Sequence, residues 1–201
     1  SSIFKFTMPR REDNKVSIKG SLPPVTLVIG GARSGKSEHA ELLVTQSGLS
    51  PFYLATATAS DGEMMNRILQ HQERRGDKWQ TVEEPVNLVA ALKKASSTKS
   101  AVLVDCLTLW LSNLMTLSRD IECETRALTA ALPSLIGPVV FVTNEVGLGI
   151  VPANSLAREF RDHAGQLNQA VAVAADHVTM MVSGLPLTLK SELENERPSH
   201  V

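Results

Sequence analysis

The chain has 201 residues, of which 43% are hydrophobic and 20% are charged, a length and composition that suit one globular domain with a sizeable core. Twenty basic and twenty-one acidic residues give a formal net charge of -1, so the overall charge points neither to nucleic acid nor to an anionic membrane surface. No apolar run reaches the roughly 18 residues that span a bilayer, and the N-terminus lacks the apolar core of a secretory signal. We therefore expect a soluble, cytoplasmic protein without a membrane span.

The N-terminal segment differs in character from the rest of the chain. Residues 1–24 are polar and basic and end in SLPP, a composition that favours a flexible arm, or an added strand, over a packed element. From Val25 onward, helix-length segments separate five short apolar runs, which read VTLVIGG, FYLATAT, AVLVDCLT, VVFVTNEVG and VTMMVSG. Nearly continuous apolar runs are typical of parallel strands that are buried on both faces. We predict an α/β three-layer sandwich with a mostly parallel sheet over residues 25–190, followed by a polar tail over residues 191–201.

The first apolar run is followed by a phosphate-binding motif. The sequence GGARSGKS fits G-x-x-x-x-G-K-[ST] and stands between a predicted strand and a predicted helix. Its glycines let backbone N–H groups turn towards phosphate oxygens, and the helix N-terminus adds partial positive charge. Lys36 is predicted to reach the β- and γ-phosphates, and the Ser37 hydroxyl to join the shell of Mg²⁺. The candidate nucleotide-binding residues of this motif are Gly30, Gly31, Ala32, Arg33, Ser34, Gly35, Lys36 and Ser37.

Two further strand ends carry candidate site residues. Asp105 ends the run AVLVDCLT, where a Walker B acid stands, and is predicted to bind Mg²⁺ directly or through water, although it could also cap the next helix. Asn144 and Glu145 end another run, and the carboxylate could orient water, metal or a substrate hydroxyl, or belong to a capping pair in a turn. Arg158 and Arg161, three residues apart on a predicted helix, could clamp phosphate or lie on an exposed face.

The segment EMMNRILQHQERR predicts an amphipathic helix that ends near His71. Asp61 is a suitable N-cap, and Glu63, Arg67 and His71 recur every four residues along one stripe. A guanidinium one turn before an imidazole disfavours the protonated ring, and a histidine nucleophile needs its neutral lone pair. The spacing therefore permits nucleophilic catalysis, although by spacing alone a surface or capping histidine is the commoner case.

Together these motifs resemble the bifunctional adenosylcobinamide kinase / adenosylcobinamide-phosphate guanylyltransferase family of cobalamin biosynthesis. The resemblance extends from about Val25 to Lys190 and is most specific in EMxxRIxxH and NEVGxGIVP. It implies a P-loop NTPase with a RecA-like sheet that phosphorylates the aminopropanol hydroxyl of adenosylcobinamide with a nucleoside triphosphate, ATP or GTP. It also implies a second reaction, in which GMP passes from GTP to that phosphate through a guanylylated histidine and pyrophosphate is released.

The resemblance also implies roles for individual residues. His71 matches the histidine of RIxxH, so it is expected to be the nucleophile that carries GMP. Thr56, Ala57 and Glu83 match positions that contact the guanine nucleotide, although a threonine at a strand end is also a common turn residue and Glu83 alone would read as a solvated charge. The family further implies Mg²⁺ as cofactor, a corrinoid and a nucleoside triphosphate as small-molecule partners, and a homotrimer.

Two alternatives remain open at this point. A P-loop small-molecule kinase of the same fold would lack nucleotidyl transfer and would use His71 only structurally. A RecA-like motor or DNA-binding ATPase is disfavoured by the near-neutral charge and the absence of a basic stripe, so we expect no nucleic-acid partner.

Overall fold

A computed structural model of the chain describes residues 21–57 and 78–191. His71 and the predicted helix around it lie outside these ranges, as do residues 1–20 and 192–201. The strands are β1 (Val25–Gly30), β2 (Ser50–Ala55), β3 (Gln80–Glu83), β4 (Ser100–Asp105), β5 (Val139–Asn144), β6 (His177–Val182) and β7 (Leu185–Ser191). The helices are α1 (Lys36–Gln46), α2 (Leu88–Ala95), α3 (Leu107–Thr116), α4 (Ile121–Ala131) and α5 (Ser155–Ala174), with a short 3₁₀ turn at Leu132–Ser134.

The described strands form one seven-stranded sheet in the order β3-β2-β4-β5-β1-β6-β7. All neighbouring pairs are parallel except β6 and β7, which are antiparallel. This confirms the predicted α/β class with a mostly parallel central sheet. Because parallel strands end at the same edge, the carboxyl ends of β1, β2, β4 and β5 share one side of the molecule, where open α/β sheets bind their ligands.

Continuous apolar strands arise because helices cover both faces of the sheet. Leu27 faces the core formed with α2, α3, α4 and α5, whereas its neighbour Val28 faces the core formed with α1. Leu103 and Val104 divide in the same way along β4. Successive residues of a central strand therefore face opposite helix layers, and most positions of both sets are apolar because both faces of the strand are buried.

Two strands were not among the predicted runs. All four residues of β3 are exposed, and β7 carries exposed leucines at alternating positions. Both lie at the edges of the sheet, where one side of the strand has no neighbour and a continuous apolar run is not required. The turn from β6 to β7 consists of Ser183 and Gly184, which have φ of 52° and 80°, as a two-residue hairpin turn demands.

The packed part of the chain begins before the predicted boundary at Val25. Leu22 is buried against the core on the α1 side, and the carbonyl of Pro24 accepts a hydrogen bond from the N–H of Val139 at 2.9 Å. These contacts anchor the segment that leads into β1. In the two described ranges, none of the helices combines the length and the apolar character that crossing a membrane requires.

Candidate active site

The loop between β1 and α1 has an unusual backbone shape. Gly35, the residue before the first turn of α1, has φ of 91° and ψ of 5°, and Arg33 has φ of 56°. These left-handed conformations curl the chain so that the helix starts directly behind the loop. The N–H of His39 donates to the carbonyl of Gly35 at 2.9 Å and closes the first helical turn. The free N–H groups at the start of α1 are therefore available to an anion.

The turn between β6 and β7 packs against this loop. The N–H of Gly184 donates to the carbonyl of Ser34 at 2.9 Å. A Cβ added to Gly30 would lie 2.5 Å from Ser34 Oγ and 2.8 Å from the carbonyl oxygen of Met181, so no side chain fits there. A Cβ on Gly35 would lie 3.4 Å from Gly184 Cα. The β6–β7 hairpin, about 150 residues later in the chain, therefore packs directly against the phosphate loop.

The loop also contains a polar group without a partner. Ser34 Oγ is buried and, among the residues that the structure describes, has no hydrogen-bond partner. A buried hydroxyl that remains unpaired costs free energy, and a bound oxygen acceptor would offset that cost. The hydroxyl lies close to Gly30, since a Cβ added there would be 2.5 Å from Ser34 Oγ.

Lys36 and Ser37 are the first two residues of α1, and both are half-buried. Lys36 Nζ donates to the carbonyl of Gly31 at 3.3 Å, so the side chain folds back over the loop instead of extending into solvent. This places the ammonium group beside the space that the loop encloses. The role in phosphate charge neutralisation that the motif predicts for Lys36 remains a prediction.

Asp105 lies at the carboxyl end of β4, two strands away from β1, which corresponds to about 10 Å. Its Oδ2 accepts a hydrogen bond from the hydroxyl of Tyr53 at 3.2 Å. The N-cap of α3 is Cys106, and no side chain caps that helix. The capping alternative for Asp105 therefore has no hydrogen bond to support it, and the partly exposed carboxylate is held from the side by a phenol.

Cys106 follows this carboxylate but offers no reactive thiolate. Burial raises the pKa of the thiol to about 12, with the negative charge of Asp105 as the second cause. The thiol consequently stays protonated at neutral pH, and it serves neither as a nucleophile nor as a metal ligand.

Thr56 makes several hydrogen bonds within the protein. Its side chain is completely buried, and Oγ1 donates to the carbonyl of Cys106 at 2.7 Å while it accepts from the N–H of Cys106 at 2.8 Å. The backbone carbonyl of Thr56 accepts a further bond from Asn113 Nδ2 at 2.8 Å. The hydroxyl therefore fastens the end of β2 to the end of β4. The predicted nucleotide contact of Thr56 remains a prediction, and its hydroxyl is engaged inside the protein.

The two other predicted guanine-nucleotide contacts are more accessible. Ala57 is half-buried immediately beyond β2, and Glu83 is exposed at the end of β3. In the pairing of β2 with β3, Ala55 lies beside Glu83, so both candidates belong to the same corner of the carboxyl edge. Their contact with a nucleotide also remains a prediction.

The sequence analysis did not predict a buried hydrogen-bond network at the end of β5. Thr143 Oγ1 donates to Asn168 Oδ1 at 2.7 Å, and Asn168 Nδ2 donates to the carbonyl of Asn144 at 3.2 Å. The N–H of Asn144 donates to Thr108 Oγ1 at 2.7 Å. The one sequence feature that could have indicated this network is the position of Asn168, which lies on the same stripe of α5 as the buried residues Ala164, Leu167 and Val171. The network fixes the point where the chain leaves β5.

Glu145 takes part in the turn that follows β5. Its N–H donates to the carbonyl of Gly30 at 3.1 Å, and its Oε1 accepts from the N–H of Gly147 at 2.6 Å. The first bond joins the end of β5 to the start of the phosphate loop. The second bond is the turn-capping contact that was one of the two alternatives for this carboxylate.

The two arginines of α5 have partners within the protein. Arg158 Nη1 donates to the carbonyls of Pro152 and Ala153 at 2.9 and 2.7 Å. Arg161 pairs with Asp162 at 3.2 Å. Arg158 therefore holds the end of the loop that leads into α5, and the proposed phosphate clamp has no support from these contacts.

Together these features define a class of protein. A glycine-rich loop at the end of a central parallel strand, Lys36 and Ser37 at the helix start, and an acid at the end of β4 characterise a P-loop nucleoside-triphosphate-binding protein of the RecA-like class. The flagellar accessory protein FlaH from Methanocaldococcus jannaschii has the same fold, with a TM-score of 0.53 over 86% of this chain and 80% of that one, at 12% sequence identity.

The family follows from sequence similarity. Residues 26–189 match the family described as "Cobinamide kinase / cobinamide phosphate guanyltransferase", and the chain belongs to this family. It is 48% identical over 168 residues to "Bifunctional adenosylcobalamin biosynthesis protein CobP" of Pseudomonas aeruginosa, covering 83% of this chain and 97% of the relative. It is 40% identical over 179 residues to "Bifunctional adenosylcobalamin biosynthesis protein CobU" of Escherichia coli K12, covering 82% and 98%. The family resemblance predicted from the motifs is confirmed, and neither the motor nor the kinase-only alternative is favoured.

Proposed function

We propose that this chain catalyses both reactions of its family. In the first, it phosphorylates adenosylcobinamide with a nucleoside triphosphate; in the second, it transfers GMP from GTP to adenosylcobinamide phosphate, giving adenosylcobinamide-GDP and pyrophosphate. The observation that carries the proposal is the family match over residues 26–189, because this range contains both the phosphate loop and the His71 segment.

The kinase step requires a positioned triphosphate and little covalent help from the protein. The substrate hydroxyl loses its proton to solvent as its oxygen forms a bond to the γ-phosphorus. The bond from that phosphorus to the β–γ bridging oxygen breaks, and the nucleoside diphosphate leaves. The N–H groups at the start of α1 and the ammonium of Lys36 would stabilise the negative charge on the phosphate oxygens.

Mg²⁺ is proposed as the cofactor, and the available side chains suit it. Ser37 offers a hydroxyl at the second position of α1, and Asp105 offers a partly exposed carboxylate, which are the hard oxygen ligands that Mg²⁺ takes in phosphoryl-transfer sites. Bound Mg²⁺ would neutralise charge on the β- and γ-phosphate oxygens.

The second reaction is proposed to use His71 as the nucleophile. An imidazole nitrogen forms a bond to the α-phosphorus of GTP, and pyrophosphate leaves with the bonding electron pair. An oxygen of adenosylcobinamide phosphate then forms a bond to the same phosphorus, which releases the imidazole. A covalent intermediate divides one difficult displacement into two easier ones. Support for this role is the position of His71 in the motif that the family match covers.

GTP radiolabelled at the α-phosphorus tests both roles. The wild-type chain should acquire acid-labile label, and His71→Ala should lose it while keeping most of its kinase activity. Lys36→Ala should lower both reactions by roughly 100-fold or more, because each one needs the polyphosphate charge neutralised. His163→Ala is the matched control, since His163 is a partly exposed histidine on α5 that pairs with Glu159.

Two outcomes would count against this function. If the wild-type chain acquires no covalent label from GTP but phosphorylates adenosylcobinamide, the kinase-only alternative holds. If His71→Ala loses both activities equally while its fold is intact, the separate nucleophile role is refuted.

We further propose that the protein is a cytoplasmic homotrimer. The family resemblance supports this oligomeric state, and the β6–β7 hairpin supplies an apolar surface that a second copy could cover. Val182, Leu185, Leu187 and Leu189 of the hairpin are each about half exposed. Light scattering of the eluted protein should give three times the mass of one chain, and a monomer for the wild type would refute the proposal.

A further inference from the structure

The loop between β5 and α5 exposes an unusual number of large apolar side chains. Leu148 is 80% exposed, Ile150 97% and Val151 62%, and Leu156 in the first turn of α5 is 61% exposed. Single exposed apolar residues are ordinary, but several within nine positions of one loop form a patch of the kind that marks a binding surface.

A groove adjoins the end of this loop. It has a volume of about 450 Å³ and lies between the last turn of α3 and the first turns of α5. Met115, Leu156, Ala157 and Phe160 supply apolar surface, and Ser112 and Asn154 add polar groups, with no charged side chain among the lining residues. The combination of apolar surface with a few neutral polar groups is typical of sites for small organic ligands.

The apolar loop is fixed to the phosphate site at its beginning. The N–H of Glu145 donates to the carbonyl of Gly30, the first residue of the phosphate loop. At its other end, Arg158 binds the carbonyls of Pro152 and Ala153. The loop is thus held at both ends, while the apolar side chains between them remain exposed. The loop therefore begins next to the phosphate loop, and its exposed side chains follow within a few residues of that point.

We propose that this loop and groove, residues 145–160, hold the corrin ring of the substrate while its aminopropanol arm reaches the phosphate loop. The inference rests on the proposed function and names the part of the protein that recognises the bulky half of the acceptor. A corrin ring has broad apolar faces and a periphery of neutral amide side chains. The faces match Leu148, Ile150 and Phe160, and the amides match the neutral polar groups of Ser112 and Asn154.

The proposal is tested with a double variant at the two most exposed apolar positions of the loop. Leu148→Ser with Ile150→Ser changes two highly exposed side chains, so the fold should be unaffected. The KM for adenosylcobinamide in the kinase reaction should rise about 10-fold or more, because the apolar contact is lost. The KM for ATP should stay within a factor of two of the wild-type value, because the phosphate loop is unchanged. Val173→Ser is the matched control, since Val173 is also 80% exposed but lies near the far end of α5.

Two further measurements decide what an altered KM means. With free 1-amino-2-propanol as acceptor, which has the hydroxyl arm and no ring, wild type and double variant should react at the same rate. Titration of adenosylcobinamide without nucleotide should show weaker binding to the double variant.

An unchanged corrinoid KM in an active double variant would overturn the proposal and leave the proposed function intact. A changed oligomeric state with unchanged corrinoid binding would show an interface between copies and would also overturn it. A wild-type chain that binds the corrinoid but does not phosphorylate it would refute the proposed function alone.

Discussion

The loops that leave β1 and β5 begin on neighbouring strands but are built in opposite ways. The β1 loop uses its backbone: glycines, left-handed torsions and the N–H groups of α1 surround the space, and a hairpin turn packs behind it. The β5 loop uses its side chains: its backbone is tied down at both ends, and large apolar groups face solvent between them.

This difference corresponds to the two halves of the proposed reaction. Phosphate groups are small and identical in every nucleoside triphosphate, so a fixed backbone shape recognises them well. A bulky organic acceptor offers mainly apolar surface, and exposed side chains can match it without a closed pocket. Substitutions in the first loop should therefore act through backbone shape, and those in the second through lost contact area.

The largest effect is expected from Gly30→Ala, compared with Gly149→Ala in the other loop. A Cβ on Gly30 would lie 2.5 Å from Ser34 Oγ and 2.8 Å from a backbone carbonyl, whereas a Cβ on Gly149 has no neighbour within 4 Å. Such an overlap forces the loop backbone to shift; if the lost shape weakens phosphate binding by about 1–3 kcal/mol, GTP affinity should fall by roughly 5- to 150-fold in Gly30→Ala. Gly149→Ala should bind GTP as the wild type does. Calorimetric titration measures both, and equal affinities would show that the backbone shape of the first loop is not what binds phosphate.

A smaller effect is expected from Tyr53→Phe, which removes the hydroxyl that donates to Asp105 Oδ2 and keeps the ring packed edge-on against Trp79. If Asp105 holds the metal, loss of this orienting bond should weaken metal binding by about 1 kcal/mol, or roughly fivefold. Mn²⁺ binding followed by electron paramagnetic resonance in the presence of nucleotide measures the change directly. In an Asp105→Asn background, Tyr53→Phe should have no further effect on metal binding. A full additional loss in that background would mean that the phenol acts elsewhere.

The smallest effect is expected on the free energy of unfolding in mild acid, to which two histidines contribute, one on α1 and one at the start of β6. Burial lowers the pKa of His39 on α1, with His177 as the second cause, and burial lowers the pKa of His177. A histidine with a lowered folded-state pKa binds protons more readily when the chain is unfolded. The stability it contributes is complete above the unfolded pKa of about 6.5 and is lost as pH falls through the lower folded pKa.

Urea unfolding at several pH values between 7.5 and 5.5 should therefore show a free energy of unfolding that declines by roughly 1 kcal/mol or less from these residues. His39→Gln should flatten that decline. An equal slope in the wild type and His39→Gln would remove this histidine as a source of acid sensitivity.

The features that the sequence predicted best are those whose chemistry is local. The phosphate loop carries its glycines, its lysine and its flanking strand and helix within a few residues, so its position and shape could be inferred together. Asp105 could be placed because a carboxylate that ends a buried strand must lie at the carboxyl edge. Both inferences needed only the immediate neighbours of the residue.

Features that depend on distant partners were harder to predict. Thr56 has a partner 50 residues away, and nothing near it in sequence indicates that its hydroxyl faces Cys106. The network of Asn168 with Thr143 and Asn144 joins residues about 25 positions apart. The edge strands β3 and β7 lacked a continuous apolar signal because all of β3 and more than half of β7 are exposed. His71 lies outside the described residues, and its role remains a prediction.

The hydrogen bond from the N–H of Gly184 to the carbonyl of Ser34 joins the phosphate loop to a hairpin that is synthesised much later. The phosphate motif is among the first parts of the domain to be synthesised, whereas the hairpin that supports it is among the last. A growing chain that has not yet produced residues 183–184 contains the complete motif without its rear wall. We therefore expect a chain that is shortened before this hairpin to keep the motif but to bind nucleotide more weakly.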